Sequence, residues 1–169
     1  MPKQYSLYLS TDTPSSRFRG QAPTHVNVSA SGNSATWSVN WDALFGIYRT
    51  GTMRVKFQFQ TNSTGTDTYE STNGTLRVIK GLSSNTQMIY NGLILGMFRS
   101  STGVLPSTDS YLYGDTTSSG GVECNIPKGF SDLTIALVNG SEVQITQTDN
   151  FQIMLFFELD NEIEKLGEN

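Results

Sequence analysis

The sequence predicts an all-β protein, an antiparallel β-sandwich with the eight strands of a single jelly roll. Several segments alternate apolar and polar residues with the period of two that a half-buried strand requires. The 169 residues include 20 serines, 20 threonines and 16 glycines, which suit solvated strands and turns, and only 15% are charged. No segment of about 10–15 residues has the helical spacing of a parallel βαβ unit, so two packed antiparallel sheets remain. The chain is longer than the roughly 100 residues of an immunoglobulin-type sandwich, which favours the jelly roll.

The individual strands follow from this alternation. Segment 53–60, with the sequence MRVKFQFQ, is the clearest, because every second residue is apolar. The same pattern predicts strands at residues 5–9, 25–29, 35–41, 75–80 and 133–139. Segment 151–158 alternates at first and then becomes apolar on both sides, which predicts a strand covered on both faces. The core residues that we expect are Trp37, Val39, Val55, Phe57, Phe59, Leu133, Ile135, Ile153 and Leu155.

Two segments allow more than one structure. Residues 87–98 fit one long strand bent at Gly92 or Gly96, and they also fit a short helix followed by a strand. Residues 41–45 fit a strand that runs into a turn, where Asp42 can cap one helical turn. Both alternatives stay open on the sequence alone.

Turn signals and composition define the domain organisation. Asn-Gly pairs at 73–74 and 139–140 predict two-residue hairpin turns, in which both central residues take positive φ. No linker divides the chain, so we expect residues 1–159 to form one β-sandwich domain and residues 160–169 to form an acidic C-terminal arm.

The arm has the features of a segment that binds a partner. Its net charge is −3, from four acidic residues against Lys165. Ile163 and Leu166 are three apart, so one helical turn would present both to a neighbour. Ten residues are too few to hold a helix in water. We therefore expect the arm to order only against another subunit, on a basic surface around a small apolar notch.

Charge and cysteine content limit the partners and the compartment. The last twelve residues carry −4, and the remaining 157 hold ten basic and ten acidic groups, so a neutral body argues against general nucleic-acid binding. Six of these basic residues, Arg49 among them, lie in the first 57 residues and are interpreted as solvated strand edges and loops. Cys124 is the only cysteine, and no apolar signal-peptide run opens the chain, so we expect folding in a reducing compartment. No segment approaches the roughly 18 apolar residues of a membrane span.

Residues that carry chemistry are scarce. With His25 the only histidine and Cys124 the only cysteine, zinc sites built on several imidazoles or thiolates are excluded, and both residues are best interpreted as structural. We expect no catalytic residues, no cofactor and no metal, and hence no enzyme. Two carboxylates suffice for a glycosidase, and the acidic residues in or beside strands are Glu70, Glu123, Glu142 and Glu158. Asp109 and Asp115, six apart, form only a weak calcium signal.

Two tryptophans allow a binding function as an alternative. Trp37 and Trp41 lie four apart on one face of a predicted strand, with Tyr48 nearby, and exposed rings in a row would stack on sugars. Val39 lies between them on that face, which favours a core position for both rings. The alternative function is a carbohydrate-binding module or a receptor-binding head.

Four segments of the chain resemble a family of viral proteins. Residues 5–11 (YSLYLST), 35–45 (ATWSVNWDALF), 53–61 (MRVKFQFQT) and 150–160 (NFQIMLFFELD) are similar to small jelly-roll virion proteins of large double-stranded DNA viruses of algae and protists and of their smaller viral relatives. The resemblance covers most of the chain in order, and no catalytic motif comes with it.

This resemblance implies a structural role in a virus particle. Double jelly-roll major capsid proteins are more than twice this length, so the likeness points to a minor capsid or vertex protein. Such a protein would fold and assemble in the host cytoplasm, reside in the virion, and contact other capsid subunits as a homo-oligomer. Ser/Thr-rich loops that pack without desolvating charges and terminal arms that order on assembly are compatible with that role.

Overall fold

In the computed structural model the chain folds into two antiparallel β-sheets that share one core. The structure describes residues 3–10, 23–29, 32–47, 49, 51–61, 73–85, 87, 92–99, 111–113, 121–139 and 151–159. The elements within these residues are β1 (Lys3–Ser10), β2 (Pro23–Ser29), β3 (Gly32–Asn40), α1 (Trp41–Phe45), β4 (Thr52–Thr61), β5 (Asn73–Lys80), β6 (Leu93–Arg99), β7 (Tyr111–Tyr113), β8 (Val122–Asn125), β9 (Phe130–Asn139) and β10 (Phe151–Leu159).

The strand order is that of a jelly roll. The first sheet has the order β1-β10-β4, and both β7 and β8 pair with the remaining edge of β4. The second sheet has the order β2-β3-β9-β5-β6. Antiparallel pairs are nested along the chain: β1 with β10, β3 with β9, β4 with β7 and β8, and β5 with β6. Nested pairing across two sheets is the double Greek key of the jelly roll, and the expected fold class is confirmed.

Eight strand positions in two sheets of four form this jelly roll. The structure differs from eight single strands in two ways. The strand β2, which the alternation at residues 25–29 predicted, lies beside β3 as an additional strand. The fourth position of the first sheet is divided between β8, which pairs with residues 52–55, and β7, which pairs with residues 59–61. No alternation predicted β7 or β8, because strands of three and four residues are too short to show a period.

The core lies between the sheets and contains residues from both. All nine residues expected inside are buried, none with more than 4% of its surface exposed. In β4 the burial follows the sequence alternation directly, since Met53, Val55 and Phe57 face the core and Arg54 lies exposed on the opposite face. One apolar cluster therefore joins the two sheets.

Three local expectations need correction or refinement. Asn73 and Gly74 do not form a hairpin turn: they begin β5, where Gly74 pairs with both Phe98 and Asn139, because β5 lies between two strands. The second Asn-Gly pair includes residue 140, which lies outside the described residues. The strand β10 is not covered on both faces, since Phe156 is 37% exposed.

The structure assigns residues 41–45 and the end of segment 87–98, whereas residues 88–91 lie outside the described residues. Residues 41–45 form a helical turn, and its N-cap is Asn40, whose Oδ1 accepts a hydrogen bond from the Ala43 N–H at 3.1 Å. Asp42, the expected cap, binds elsewhere. In segment 87–98 the strand begins at Leu93, directly after Gly92, which has a φ of 105°. A side chain at Gly92 would collide with the carbonyl oxygen of Val78, so this position requires glycine.

Candidate subunit interface

The two tryptophans that suggested a sugar platform lie in the core. Trp37 and Trp41 each have 0% of their surface exposed. The indole N–H of Trp37 donates to the Ser10 carbonyl at 3.1 Å, and that of Trp41 donates to the Ser131 hydroxyl at 2.8 Å. Both polar atoms are thus satisfied inside the protein. This corrects the platform alternative, because neither ring offers a face to a sugar or to a neighbouring molecule.

The other three candidate interface residues are not placed by the structure. Tyr48, Ile163 and Leu166 lie outside the described residues, as does the whole arm of residues 160–169.

Trp41 belongs to an aromatic cluster that holds α1 against the first sheet. Its ring stacks on Phe45 with centroids 5.9 Å apart and meets Phe157 edge-on at 6.0 Å. Phe45 in turn meets Phe157 at 5.2 Å and Tyr5 at 5.4 Å, both edge-on. Such pairs add about 0.5–1.5 kcal/mol each beyond the burial of their area. The helical turn between β3 and β4 therefore has a fixed position over β1 and β10.

A buried arginine connects this turn to a second loop. The side chain of Arg49 is 1% exposed, and its Nη2 lies 2.8 Å from Asp42 Oδ1. Its Nε donates to the Pro127 carbonyl at 3.0 Å, and Nη2 donates to the same oxygen. The guanidinium carbon lies 5.4 Å from the ring centroid of Phe45, at cation–π distance. Arg49 is thus a structural cross-link, which its interpretation as a solvated loop residue missed.

Asp42 completes the connection between the two loops. Its Oδ1 accepts a hydrogen bond from the Gly129 N–H at 2.9 Å, and the Trp41 N–H donates to the Gly129 carbonyl at 2.9 Å. The Gly129 N–H, helped by Arg49, lowers the pKa of the Asp42 carboxyl below its ordinary value. We call this unit the corner, and define it as residues 40–47, 49 and 126–130.

The corner displays large apolar side chains to solvent. Ile47 is 62% exposed and Phe130 is 68% exposed, the two highest values among the large hydrophobic residues that the structure describes. Phe130 directly follows the doubly hydrogen-bonded Gly129, and its Cα pairs with Asn40 at the end of β3. The hydrogen-bonded backbone therefore holds the Phe130 side chain at the surface, where it is 68% exposed.

The charge of the corner is slightly positive. Asp42 contributes −1, and Arg49 and the exposed Lys128 contribute +1 each, for a net charge of +1. Because Asp42 and Arg49 pair with each other, Lys128 is the charge of the corner that is exposed to solvent. The corner thus combines exposed apolar surface with one positive charge.

The outer face of the first sheet has a different character. Arg54 lies in register between Glu158 on β10 and Glu123 on β8, so each carboxylate has a guanidinium as its cross-strand neighbour. Opposite charges in these positions stabilise a sheet. These are two of the four glutamates considered for glycoside hydrolysis, and Glu70 and Glu142 lie outside the described residues.

Metal and nucleophile chemistry has little basis in the described residues. No group of three or more His, Cys, Asp or Glu side chains that could hold a metal ion occurs in that part of the chain. Burial raises the pKa of the Cys124 thiol to about 12, so the thiol is protonated at neutral pH, in agreement with a structural cysteine. His25 lies on β2, and Asp109 and Asp115 lie outside the described residues. In the described ranges no helix is long and apolar enough to cross a membrane.

The sequence offered little signal for the corner. Arg49 contacts the carbonyl of a residue 78 positions later, and this pairing exists only because β8 and β9 return the chain to α1. Phe130 opens a strand whose alternation correctly predicted the buried Leu133 and Ile135, but the exposure of that first residue depends on where its neighbours end.

Comparisons with known proteins give distant structural similarity only. No protein-family model matches the chain, and no curated protein matches it. Among solved structures, the mavirus penton protein is similar over 52% of this chain and 34% of its own length, with 14% identity and a TM-score of 0.35. This chain thus spans about a third of that penton protein.

Two further structures are similar at comparable distance. A low-affinity xylan-binding module of Roseburia intestinalis matches 94% of this chain and 98% of its own, with 10% identity and a TM-score of 0.28. A structure of infectious bursal disease virus matches 99% of this chain and 43% of its own, with 11% identity and a TM-score of 0.21.

Proposed function

We propose that the protein is a structural virion component, a minor capsid or vertex protein that acts through symmetric contacts with copies of itself and with other capsid subunits. It folds and assembles in the host cytoplasm and resides in the virion. The proposal includes no catalytic activity, no cofactor and no general nucleic-acid binding.

The observation that carries the proposal is the exposed apolar surface of the corner. Ile47 and Phe130 belong to a unit whose ion pair, hydrogen bonds and aromatic contacts fix the backbone. Aromatic and apolar side chains form the centre of protein interfaces, and a surface that is rigid before binding loses less entropy on association. These features support a contact with another subunit.

The fold and the sequence resemblance also support a structural role in a virus particle. Jelly rolls are common in viral capsids, although the fold also occurs in lectins and so does not decide function by itself. Three of the four segments that resemble virion proteins form β1, β10 and β4, which are adjacent in the first sheet. The fourth segment, residues 35–45, forms part of β3 in the second sheet and α1, so the resemblance extends over both sheets.

The carbohydrate-binding alternative no longer has exposed tryptophan rings to support it. It relied on Trp37 and Trp41 as stacking rings, and both are completely buried. Tyr48, its third residue, lies outside the described residues.

The oligomeric state of the full chain tests the proposal. We expect the purified protein to run as an oligomer in size-exclusion chromatography with light scattering, and the double variant Ile47→Ser, Phe130→Ser to dissociate. Phe156→Ser is the matched control, because it removes an exposed phenylalanine from the outer face of the first sheet and should leave the oligomer intact.

Two results would overturn the proposal. One is a wild-type protein that stays monomeric at all concentrations and is absent from cryo-EM maps of the source particle. The other is specific binding in a glycan screen at physiological salt by the monomer, which would favour the carbohydrate-binding alternative.

A further inference from the structure

The exposed apolar side chains of the corner have little cover from the described residues of their own chain. Ile47 and Phe130 remain 62% and 68% exposed, and the exposed Lys128 lies two residues before Phe130. A segment that covers them should therefore be apolar in part and acidic in part.

The last strand ends close to this surface. Leu159 pairs with Met53, and the neighbouring Thr52 pairs with Asn125 at the end of β8. The next residue, Ile126, donates its N–H to the Gly51 carbonyl at 3.3 Å and begins the loop that leads to Phe130. The arm of residues 160–169 thus starts at the same end of the sandwich as the corner.

The arm has the composition that this surface requires. It contains four acidic residues against Lys165, and its two large apolar residues are Ile163 and Leu166. Because these two are three apart, one helical turn would place them on the same side, with carboxylates beside them. Fully extended, ten residues span at most about 33–36 Å, which is enough to reach an adjacent subunit.

We propose that residues 160–169 of one copy dock on the corner of a second copy. Ile163 and Leu166 cover Ile47 and Phe130, and the acidic side chains of the arm face Lys128. The inference rests on the proposed function, since it identifies the contact through which copies of the chain associate. We assign the arm to a second copy because the proposed function requires a contact between copies, and the length of the arm is enough to reach one.

Disulfide trapping between full-length chains tests this contact. Ala43→Cys places a thiol on the exposed side of α1, four residues before Ile47, and Gly167→Cys places one beside Leu166 without changing either apolar residue of the arm. The native Cys124 does not compete, because it is buried and its pKa is about 12. The two variants carry different tags, are mixed, and are oxidised mildly.

The matched control uses Ser6→Cys in place of Ala43→Cys, since Ser6 is also small and exposed but lies on the outer face of the first sheet. We expect the corner pair to yield at least about tenfold more mixed disulfide than the control pair, because docking raises the effective concentration of the two thiols. Adding Ile47→Ser and Phe130→Ser to the Ala43→Cys chain should reduce the yield to that of the control.

Each alternative outcome has a distinct meaning. If the wild type assembles but the corner pair gives no excess of disulfide, the docking is wrong and the proposed function stands. If a chain that carries both new cysteines closes on itself in preference to a partner, the arm covers its own corner and the second-copy assignment fails. If the wild type stays monomeric at all concentrations, the docking between copies fails, and the proposed function fails with it when the protein is also absent from cryo-EM maps of the source particle.

Discussion

Arg49→Met should destabilise the protein measurably, because the guanidinium connects two loops from inside the corner. Its Nε and Nη2 both donate to Pro127, and Nη2 also donates to Asp42. Hydrogen bonds that involve a charged group contribute about 1.5–3 kcal/mol net. The contact with the ring of Phe45, at 5.4 Å, adds about 0.5–1 kcal/mol.

Part of this stabilisation is offset in the wild type. Burying the charged guanidinium costs free energy because the group loses its hydration. This cost is not fully compensated, since Nη1 of Arg49 has no hydrogen-bond partner among the described residues. Methionine fills a similar volume and removes that cost. The net loss should therefore be about 2 kcal/mol, which corresponds to a decrease in Tm of about 4–8 °C for a domain of this size.

Urea unfolding at neutral pH, followed by fluorescence of the two buried tryptophans, measures this loss. Arg54→Met is the matched control, because Arg54 is exposed on the outer face of the first sheet and should change stability by less than about 1 kcal/mol. An Arg49→Met protein as stable as the wild type, with an unchanged m-value, would refute the reasoning. It would mean that relief from burying the charge balances every contact that Arg49 makes.

Four further outcomes test other parts of the structure. Phe57→Ala should lower the free energy of unfolding by about 3–5 kcal/mol, because it opens a cavity between the sheets; a loss below about 1 kcal/mol in urea would place Phe57 outside the core, contrary to its 4% exposure. The pKa of Asp42 is lowered on folding, so its contribution is complete above the ordinary value of 3.8 and is lost as the pH falls below it. Lowering the pH should therefore reduce the free energy of unfolding more in the wild type than in Asp42→Asn. An equal reduction in both proteins would contradict the hydrogen bonds that the Asp42 carboxylate accepts. Cys124 should react with a thiol reagent only after unfolding, and rapid labelling of the native protein at neutral pH would show that its thiol is accessible. Deleting residues 160–169 should change Tm by less than about 5 °C while weakening assembly, most of all at low salt where the attraction is least screened; a larger decrease in Tm makes the segment part of the fold.

Much of the fold could be predicted because the alternation of apolar and polar residues along a strand indicates which side chains face the core. In a strand, successive side chains point to opposite faces, so the period of two in residues 53–60 already separates the core face from the solvent face. The same reasoning predicts core positions for Trp37 and Leu133, and both have 0% exposure. These are properties of the local backbone, and neighbouring strands do not change them.

Predictions that depended on neighbouring strands were less successful. The Asn-Gly pair at 73–74 is typical of a turn, yet it lies in β5, because this strand pairs with β6 on one side and with β9 on the other. Asp42 is a good N-cap residue, but Asn40 caps the helix, because the Gly129 N–H and Arg49 bind the Asp42 carboxylate. In both cases a contact from a distant part of the chain outweighs the local preference.

The sequence by itself determined the fold class and the core face of strands such as β4 and β9, whereas the burial of Trp41 and the exclusion of a tryptophan platform came from the structure. Only the tertiary structure decided which residues form the corner, because Arg49 and Pro127 are 78 positions apart and meet where the loop after β8 passes α1. The exposure of Ile47 and Phe130 was decided in the same way. Alternation tells which side of its own strand a residue occupies, whereas exposure at a strand end depends on how far the neighbouring elements extend, and that is set by the path of the whole chain.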